Sequence, residues 1–204
     1  MRKGFTLLEL LIVIGILAIL ASAVTLVLNP AQLLAQARDS QRLSDVDAVR
    51  AAIGLYLSDA TLPDLNGGVL ANSECAAGAG GRVYAAATPA TQSFANRTTN
   101  AVDVTREVNG NGWLPVDISA VFGGAPLAIL PIDPTNSGDL IYRYACDQSA
   151  LTFELNACLE STKYRQKMAD DGGDRPMVSV PLTGCGITAT TGFYETGTDP
   201  GFDL

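Results

Sequence analysis

An apolar run near the N-terminus constrains this chain more than any other feature. Residues 5–28 read FTLLELLIVIGILAILASAVTLVL, and Glu9 is the only charged residue among them. As an α-helix with a rise of about 1.5 Å per residue, a run of this length reaches ~36 Å, which exceeds the ~30 Å hydrocarbon core of a bilayer. The run therefore predicts a single membrane-spanning helix.

The residues on either side of the run give it a direction and an end. Arg2 and Lys3 precede it, and a positive flank stays in the cytoplasm while the rest of the chain is translocated. Asn29 and Pro30 follow it, and proline disfavours the continuation of a helix. We expect a cytoplasmic N-terminus, the bulk of the chain outside, and a kink or interruption at Asn29-Pro30.

The composition excludes several classes of function. The 204 residues include 13 Lys+Arg and 21 Asp+Glu, and the net charge of −8 gives no attraction to nucleic acid. Histidine is absent from the sequence, which removes His-activated nucleophiles and His-ligated metals. The sequence also lacks the glycine motifs of nucleotide sites. We therefore expect neither a nucleic-acid binder nor an enzyme.

Glu9 is an unusual residue for a membrane helix. A carboxylate at the centre of such a helix costs about 2.5–3.5 kcal/mol, and less toward its end. In one interpretation Glu9 is an interfacial residue, one turn into the helix, that stays hydrated or protonated. In the other it is functional and pairs with a cation that a partner supplies.

The residues KGFTLLELLIVIGILAIL closely resemble the N-terminus of type IV prepilins and the related pseudopilins. In that family a membrane peptidase removes a short basic leader after a glycine, the new N-terminal residue is N-methylated, and a glutamate occupies the fifth mature position. The resemblance implies cleavage between Gly4 and Phe5, methylation of the Phe5 amine, and a role for Glu9 in assembly. The Phe5 amine of a neighbouring subunit would then supply the cation, since an ion pair in a low dielectric is favoured over two separate charges.

A secretory signal peptide is the main competing interpretation. Ala21-Ser22-Ala23 satisfies the small-x-small rule for signal peptidase. Against it, the apolar stretch before Ala21 is longer than the usual ~7–15 residues, contains Glu9, and continues as VTLVL after the cleavage point. Cleavage after Ala23 would give a secreted soluble binding protein, and an uncleaved span would give an anchored surface protein that does not polymerise.

A second, amphipathic helix is predicted for residues 29–60. Its apolar residues recur every three or four positions, the period of one helical face. They are Leu43, Val46, Val49, Ile53 and Leu57. Charges of both signs occupy the opposite positions and predict a solvated face. They are Arg38, Asp39, Arg42, Asp45, Asp47 and Arg50. We expect this helix to end near Asp59 and to pack on a globular head.

The remainder of the chain, residues 61–204, predicts one β-rich head, because short apolar stretches alternate with Gly-, Pro-, Thr- and Asn-rich connections. The candidate strands are residues 82–87, 102–108, 140–146 and 151–159. Residues 147–150, DQSA, predict a hairpin between the last two. Alternation in IYRY and TFELNACL indicates a sheet with one packed face. The predicted fold class is α+β, with a long N-terminal helix whose second half packs on a small, mainly antiparallel sheet.

The stretch LPIDPTNSGDLIYRYACD resembles the Pro-x-Asp-Pro and Tyr-x-Tyr pattern that precedes the sheet of major pseudopilins and many bacterial pilins. In the simpler interpretation Pro131 and Pro134 rigidify a loop that leads into the sheet, and Tyr142 and Tyr144 pack within it. Ligand binding by these residues is the alternative.

The four cysteines all lie beyond the apolar run, as two disulfides in an oxidising compartment require. Sequence alone allows three pairings. We predict Cys146–Cys158 across the hairpin and Cys75–Cys185 between the start and the end of the head. Reduced, buried thiols are the alternative.

A calcium site is a further possibility raised by the sequence MADDGGD at residues 168–174. Asp170, Asp171 and Asp174 surround two glycines there, and calcium prefers carboxylate oxygens on a tight loop. The spacing does not fit an EF-hand, and the same residues favour a simple turn. Calcium is the only cofactor that the sequence suggests.

Together these features predict a pilin or pseudopilin, a structural subunit of a type IV pilus-like filament. Its parts would be a leader at residues 1–4, a membrane and filament-core helix at 5–28, an amphipathic helix at 29–60 and a head at 61–204. It would be a single-pass protein of the cytoplasmic membrane before assembly and part of an extracellular or periplasmic filament afterwards. The implied partners are membrane lipid, identical or homologous pilins, the prepilin peptidase and methyltransferase, and an inner-membrane assembly platform. The sequence leaves open whether the filament is a pilus, a secretion pseudopilus or a DNA-uptake fibre.

Overall fold

The structure, a computed structural model, describes residues 4–68, 75–76, 81–89, 94, 97, 99–168 and 192–198. Helix α1 covers Leu7–Leu28 and helix α2 covers Pro30–Asp59. The described residues also form five short strands. They are β1 at Arg82–Ala85, β2 at Thr99–Val102, β3 at Arg143–Asp147, β4 at Thr152–Ala157 and β5 at Tyr194–Gly197. The predicted α+β class is confirmed.

The two helices are interrupted at Asn29, as predicted. Asn29 has a left-handed conformation (φ 40°, ψ 78°), which asparagine tolerates better than most residues. Its side-chain oxygen accepts a hydrogen bond from the Gln32 N–H at 3.4 Å and so caps α2. Pro30 takes the first helical position, where no intrahelical partner exists for the N–H that proline lacks.

The apolar face of α2 packs on the sheet, mainly against β4 and β5. Val46, Val49 and Ile53 are buried, as the periodicity predicts, and Ala52 and Tyr56 extend the same face. The helix ends at Asp59, also as predicted. The second half of the helical region therefore anchors the head.

The charged residues of α2 depart in part from the prediction of a solvated surface. Arg50 is exposed, as predicted, but Asp39 and Arg42 are completely buried. Asp39 and Arg42 lie seven and four residues before Val46, so helical periodicity places them on the same side as the apolar residues and not opposite to them. The loop around Asp133 and the residues after β4 cover that side.

The sheet has the strand order β2-β1-β3-β4-β5. Strands β1 and β2 are parallel, and the other neighbours are antiparallel, so the prediction of a mainly antiparallel sheet is confirmed. The predicted hairpin joins β3 to β4 and pairs Tyr144 with Leu155 and Cys146 with Phe153. Two features of the sheet were not predicted, namely the parallel pair and strand β5.

The predicted strand at residues 102–108 is wrong except at Val102, which ends β2. The Asp103 carboxylate accepts hydrogen bonds from the Thr105 N–H at 2.8 Å and the Thr105 hydroxyl at 2.7 Å, which makes a local turn. The Thr105 carbonyl accepts from the Trp113 N–H. Val104, which lies within the predicted strand, is 74% exposed.

Both faces of the sheet are covered, whereas the sequence predicted one. The face toward α2 is apolar and includes Tyr144 and Phe153. The other face is polar and also buried, with Arg143 donating to the Asp139 carboxylate at 2.9 Å and lying 4.4 Å from the centre of the Phe193 ring. Burial lowers the pKa of Arg143 to about 10. The alternation of polar and apolar residues in the strands thus indicated two different faces, but it did not indicate that the polar face is buried.

The disulfide pairing also differs from the prediction. Cys75 is bonded to Cys146, with Cα atoms 5.0 Å apart. The register places Cys146 opposite Phe153, and Cys158 is five residues further along that strand direction, ~17 Å away at about 3.4 Å per residue. That distance excludes a Cys146–Cys158 bond, which needs Cα atoms within about 7 Å. Cys158 is also disulfide-bonded, and Cys185 lies outside the described residues.

Hydrogen bonds from the Gln148 backbone and the Arg97 side chain hold Cys75 beside β3. The Gln148 N–H donates to the Cys75 carbonyl at 2.9 Å. The buried guanidinium of Arg97 donates to the carbonyls of Ala76 at 2.7 Å and Cys146 at 2.6 Å. Burial lowers the pKa of Arg97 to about 10. These contacts place Cys75 beside β3, where it is bonded to Cys146.

Candidate functional site

Most of helix α1 stands free of the head. The window Leu7–Val24 has a mean hydropathy of 2.8, and no described residue elsewhere in the chain buries it. By length and composition it is the one helix among the described residues that could cross a membrane. Its side chains are exposed on every side, from Leu7 at 81% to Ile19 at 69%. A helix that is apolar all round is buried in lipid or protein in its working state.

The first turn of α1 is closed by reciprocal hydrogen bonds between Thr6 and Glu9. The Glu9 N–H donates to the Thr6 hydroxyl oxygen at 3.3 Å. In return the Glu9 carboxylate accepts from the Thr6 N–H at 2.9 Å and from the Thr6 hydroxyl at 2.8 Å. This is a capping box, which satisfies N–H groups that a helix start leaves without partners. Glu9 therefore has a local structural role that the sequence interpretation did not include.

The residues proposed for cleavage precede this turn. Gly4 and Phe5 lie outside the helix, and Phe5 is 80% exposed. A Cβ atom added to Gly4 would meet nothing within 4 Å. The Gly4–Phe5 bond is thus on an exposed, non-helical segment, and the capping box turns the Glu9 carboxylate toward that end of the helix.

A buried ionic cluster joins α2 to the head, and Arg42 is at its centre. Its guanidinium donates to the Asp133 carboxylate at 2.6 and 2.9 Å. Further bonds go to Asp39 at 2.9 Å, Thr135 at 3.1 Å and Glu160 at 3.2 Å. Burial alone would lower the pKa of Arg42, but the bonds and charges of Asp133 and Glu160 raise it. Arg42 is therefore charged, and its charge is balanced within the protein.

Asp39 connects the same cluster to the residues that follow β4. Its carboxylate accepts from the backbone N–H groups of Glu160 at 2.9 Å and Ser161 at 2.7 Å. Arg38, one residue earlier, forms an ion pair with Glu160 at 2.5 Å. The cluster thus ties one stretch of α2 to the loop before β3 and to the residues after β4.

Asp133 is the residue that sequence reasoning missed. It lies between Pro131 and Pro134, and the prolines alone were interpreted as stiffening a loop. The structure buries Asp133 against Arg42 and uses the Pro131 carbonyl to accept from the Trp113 indole N–H at 2.9 Å. The sequence signal for this role was a single carboxylate between two prolines.

The two tyrosines of the Tyr-x-Tyr pattern pack in the core, as the simpler interpretation predicts. Tyr142 and Tyr144 are buried, and the Tyr142 ring lies 6.5 Å from the Trp113 ring. The Tyr142 hydroxyl donates to the Asp45 carboxylate at 2.9 Å. Burial raises the pKa of Asp45, partly offset by this hydrogen bond. The contact adds a second polar tie between α2 and the strand region.

The proposed calcium ligands Asp170, Asp171 and Asp174 lie outside the described residues. Among the residues that are described, no group of three His, Cys, Asp or Glu side chains is arranged to hold a metal ion. The calcium site stays a prediction from the sequence.

A family model described as the prokaryotic N-terminal methylation motif matches residues 1–25, which include Gly4, Phe5 and Glu9. This motif is the signature of type IV pilins and pseudopilins, so the predicted resemblance of the N-terminus is confirmed. It indicates a structural, membrane-anchored precursor of that kind, which a prepilin peptidase processes. No curated protein and no solved structure matches the chain.

Proposed function

We propose that the chain is a structural subunit of a type IV pilus-like filament, cut after Gly4, methylated on the Phe5 amine and assembled through α1. The observation that supports this most is the bare, uniformly apolar α1 that carries one carboxylate in its first turn. Before assembly lipid covers this helix, and in the filament the helices of neighbouring subunits replace lipid. Association of such helices depends on close packing, because lipid is as apolar as the helix surface.

The capping box suggests how Glu9 takes part in both states. In the membrane its hydrogen bonds from Thr6 partly satisfy the carboxylate. Cleavage after Gly4 creates a charged amine on Phe5, one residue before Thr6. In the filament the Glu9 carboxylate of one subunit pairs with the Phe5 amine of another, and this pairing sets the register between them.

Intact mass of the mature protein tests the processing step. We expect a chain that begins at Phe5, with the mass of one added methyl group and a formal side-chain charge that has moved from −8 to −10 through loss of Arg2 and Lys3. Replacing Gly4 with a bulky residue should leave the precursor uncut. A mature chain beginning at Val24 would instead indicate a secreted protein cut by signal peptidase and would end the filament proposal.

Filament counts by electron microscopy in cells expressing Glu9→Gln test the assembly step. Glutamine can still close a capping box, so this substitution removes the charge and keeps the helix start. Leaving the Phe5 amine buried without a partner costs about 3–5 kcal/mol, which corresponds to at least a ~100-fold loss in subunit addition. Subunit levels and cleavage should stay normal.

Thr6→Ala is the matched control for that experiment. It removes the capping hydroxyl and keeps the Glu9 charge, at a cost of about 1 kcal/mol to the helix start. We expect filaments from Thr6→Ala at a modestly reduced number. Wild-type filament numbers from Glu9→Gln would show that Glu9 is only an interfacial residue and would contradict the assembly step.

A further inference from the structure

Three positive charges lie close together on an otherwise acidic chain. Lys163, Arg165 and Lys167 fall within five residues, in a turn and the short 3-10 helix Arg165–Met168. The two lysines are exposed and Arg165 is half-buried. Glu160, which precedes them, is already paired with Arg38 and Arg42. Lys163, Arg165 and Lys167 are called the basal patch below.

Hydrogen bonds to α2 place the basal patch at the end of the head nearest to α1. The Thr162 N–H and hydroxyl both donate to the Gln32 side-chain oxygen at 3.2 Å. Just before it, Ser161 is bonded to Asp39, so the chain here runs toward the start of α2. At Met168 it returns to the core, where that side chain is buried. The basal patch therefore lies where the chain after β4 reverses direction, close to the start of α2.

The distance from the membrane span to this point is short. Gln32 follows Leu28, the last residue of α1, by four residues, which is ~6 Å at a helical rise of about 1.5 Å per residue. The headgroup layer of a bilayer extends about 5–8 Å beyond the hydrocarbon core on each side. If α1 spans the bilayer, Thr162 lies at the depth of the lipid headgroups.

The side chains of this turn suit that depth. Tyrosine is enriched where membrane and water meet, and Tyr164 is half-buried with the Lys163 ammonium 5.0 Å from the centre of its ring. Lysine and arginine extend a charged end from an apolar stem, which favours the same zone. A basic turn with a tyrosine is therefore better suited to the surface of an anionic membrane than to bulk water.

We propose that the basal patch binds the headgroups of anionic phospholipids in the membrane that α1 spans. This inference rests on the membrane anchoring in the proposed function but does not require filaments. Each cation near an anionic membrane surface strengthens attraction about fivefold. The patch holds the head against the bilayer before assembly, and these contacts break when α1 leaves the membrane.

Amine labelling offers a direct test, because Lys163 and Lys167 are the only lysines after Lys3. The full chain is reconstituted in nanodiscs of phosphatidylcholine alone or mixed with phosphatidylglycerol. An amine-acetylating reagent is added, and the rate at each lysine is measured by mass spectrometry of its peptide. We expect acetylation of both lysines at least ~5-fold slower in the anionic discs. At 1 M salt, where the screening length is about 3 Å, the two rates should become equal.

Two single substitutions serve as a matched pair. Arg165→Gln removes one charge from the patch and should reduce the protection of Lys163 and Lys167 severalfold. Arg50→Gln removes the same charge from an exposed position on α2, 18 residues and ~27 Å beyond Gln32, and should leave the protection unchanged.

Two outcomes would overturn the inference. Equal rates in the two lipids at low salt would show that the patch does not bind lipid headgroups. The second outcome is slow acetylation of both lysines in both lipids when a disc holds several chains, and fast acetylation when it holds one. That result would show that the acidic surface of a second copy covers the patch. A chain protected by anionic lipid that makes no filaments would contradict the assembly proposal alone.

Discussion

Helices α1 and α2 are separated by one residue, yet their charged residues differ in burial and in how far away in the sequence their partners lie. The one charge of α1, Glu9, is exposed and bonded within its own first turn. On α2, Arg42 is buried and bonded to Asp133, 91 residues away, and Asp39 is bonded to Ser161, 122 residues away. The charge of α1 is paired within its own turn, whereas the buried charges of α2 are paired with residues that the fold brings from distant segments.

The difference follows from what covers each helix. Within the described part of the chain nothing packs on Leu7–Val24, and the Glu9 carboxylate has its hydrogen-bond partner within the same helix turn. The head covers α2, and a buried charge is tolerated only when it is paired and hydrogen-bonded. The buried charges on α2 are therefore part of the folded head, whereas the Glu9 carboxylate has partners only in its own helix turn.

The strongest test of this comparison is Arg42→Met in the full chain in detergent. The substitution leaves the carboxylates of Asp133 and Asp39 buried without their cation, which costs about 3–5 kcal/mol. Urea unfolding should show that loss in the free energy of unfolding. Glu9→Gln and the exposed Arg50→Met should each change it by less than about 0.5 kcal/mol. An Arg42→Met protein as stable as the wild type would mean that α2 is no more dependent on its charges than α1.

A second test concerns the covalent tie in the head. Replacing Cys75 and Cys146 together with serine opens a loop with a sequence separation of 71, for which loop-closure entropy gives about 4 kcal/mol of lost stability. The same pair of substitutions should leave cleavage after Gly4 and insertion of α1 unchanged. Detecting loss of insertion would show that the two regions are coupled.

Peptide mapping without reduction checks the pairing itself. We expect one linked pair of peptides that contains Cys75 and Cys146. Because Cys158 is also disulfide-bonded and Cys185 is the remaining cysteine, we expect these two in the other linked pair. A Cys146–Cys158 peptide would restore the pairing predicted from the sequence.

A smaller effect is expected for Tyr142→Phe. The substitution removes the hydroxyl that donates to the Asp45 carboxylate and leaves the packing of the ring against Trp113 in place. Hydrogen bonds to charged groups contribute about 1.5–3 kcal/mol, and Asp45 is only partly buried, so we expect a loss near the lower end. Thermal unfolding of the two proteins side by side measures it. A loss as large as that of Arg42→Met would show that the aromatic contact, and not the hydrogen bond, had been disturbed.

Features set by local chemistry could be predicted from the sequence. The apolar run, the break at Asn29-Pro30 and the β3–β4 hairpin each depend on a few neighbouring residues, and each is found where it was expected. The capping box is equally local, and Thr6 three residues before Glu9 was its signal.

Features set by distant contacts could not be predicted. Asp39 and Arg42 have the spacing of the buried face of α2, and their charge suggested solvent because their partners, Asp133 and the backbone of Ser161, come from distant segments. The disulfide depends likewise on strand register, since one residue of slip in a hairpin turns every side chain to the other face. Cleavage after Gly4, the role of Glu9 in assembly and the calcium ligands stay predictions.

The pH dependence of stability gives the smallest test, and it isolates one carboxylate on α2. Burial raises the native pKa of Asp45 above its ordinary value of 3.8, while the Tyr142 hydroxyl opposes the shift. The folded protein therefore holds this proton more tightly than the unfolded chain does. Its contribution to stability is complete below pH ~3.8 and is lost as the pH rises through the native pKa.

Asp45→Asn cannot lose that proton, so its stability relative to the wild type should rise over the same pH window and then stay level. In Tyr142→Phe the native pKa of Asp45 rises further, because the opposing hydrogen bond is gone. The loss of stability that accompanies ionisation of Asp45 should therefore move to higher pH than in the wild type. Urea unfolding at a series of pH values and NMR titration of the Asp45 carboxyl carbon measure the two effects. Two results would contradict this prediction: a stability difference between Asp45→Asn and the wild type that does not change with pH, or an Asp45 titration midpoint below 3.8 in the folded protein. Either would show that Asp45 behaves as a solvated carboxylate and is not one of the buried charges of α2.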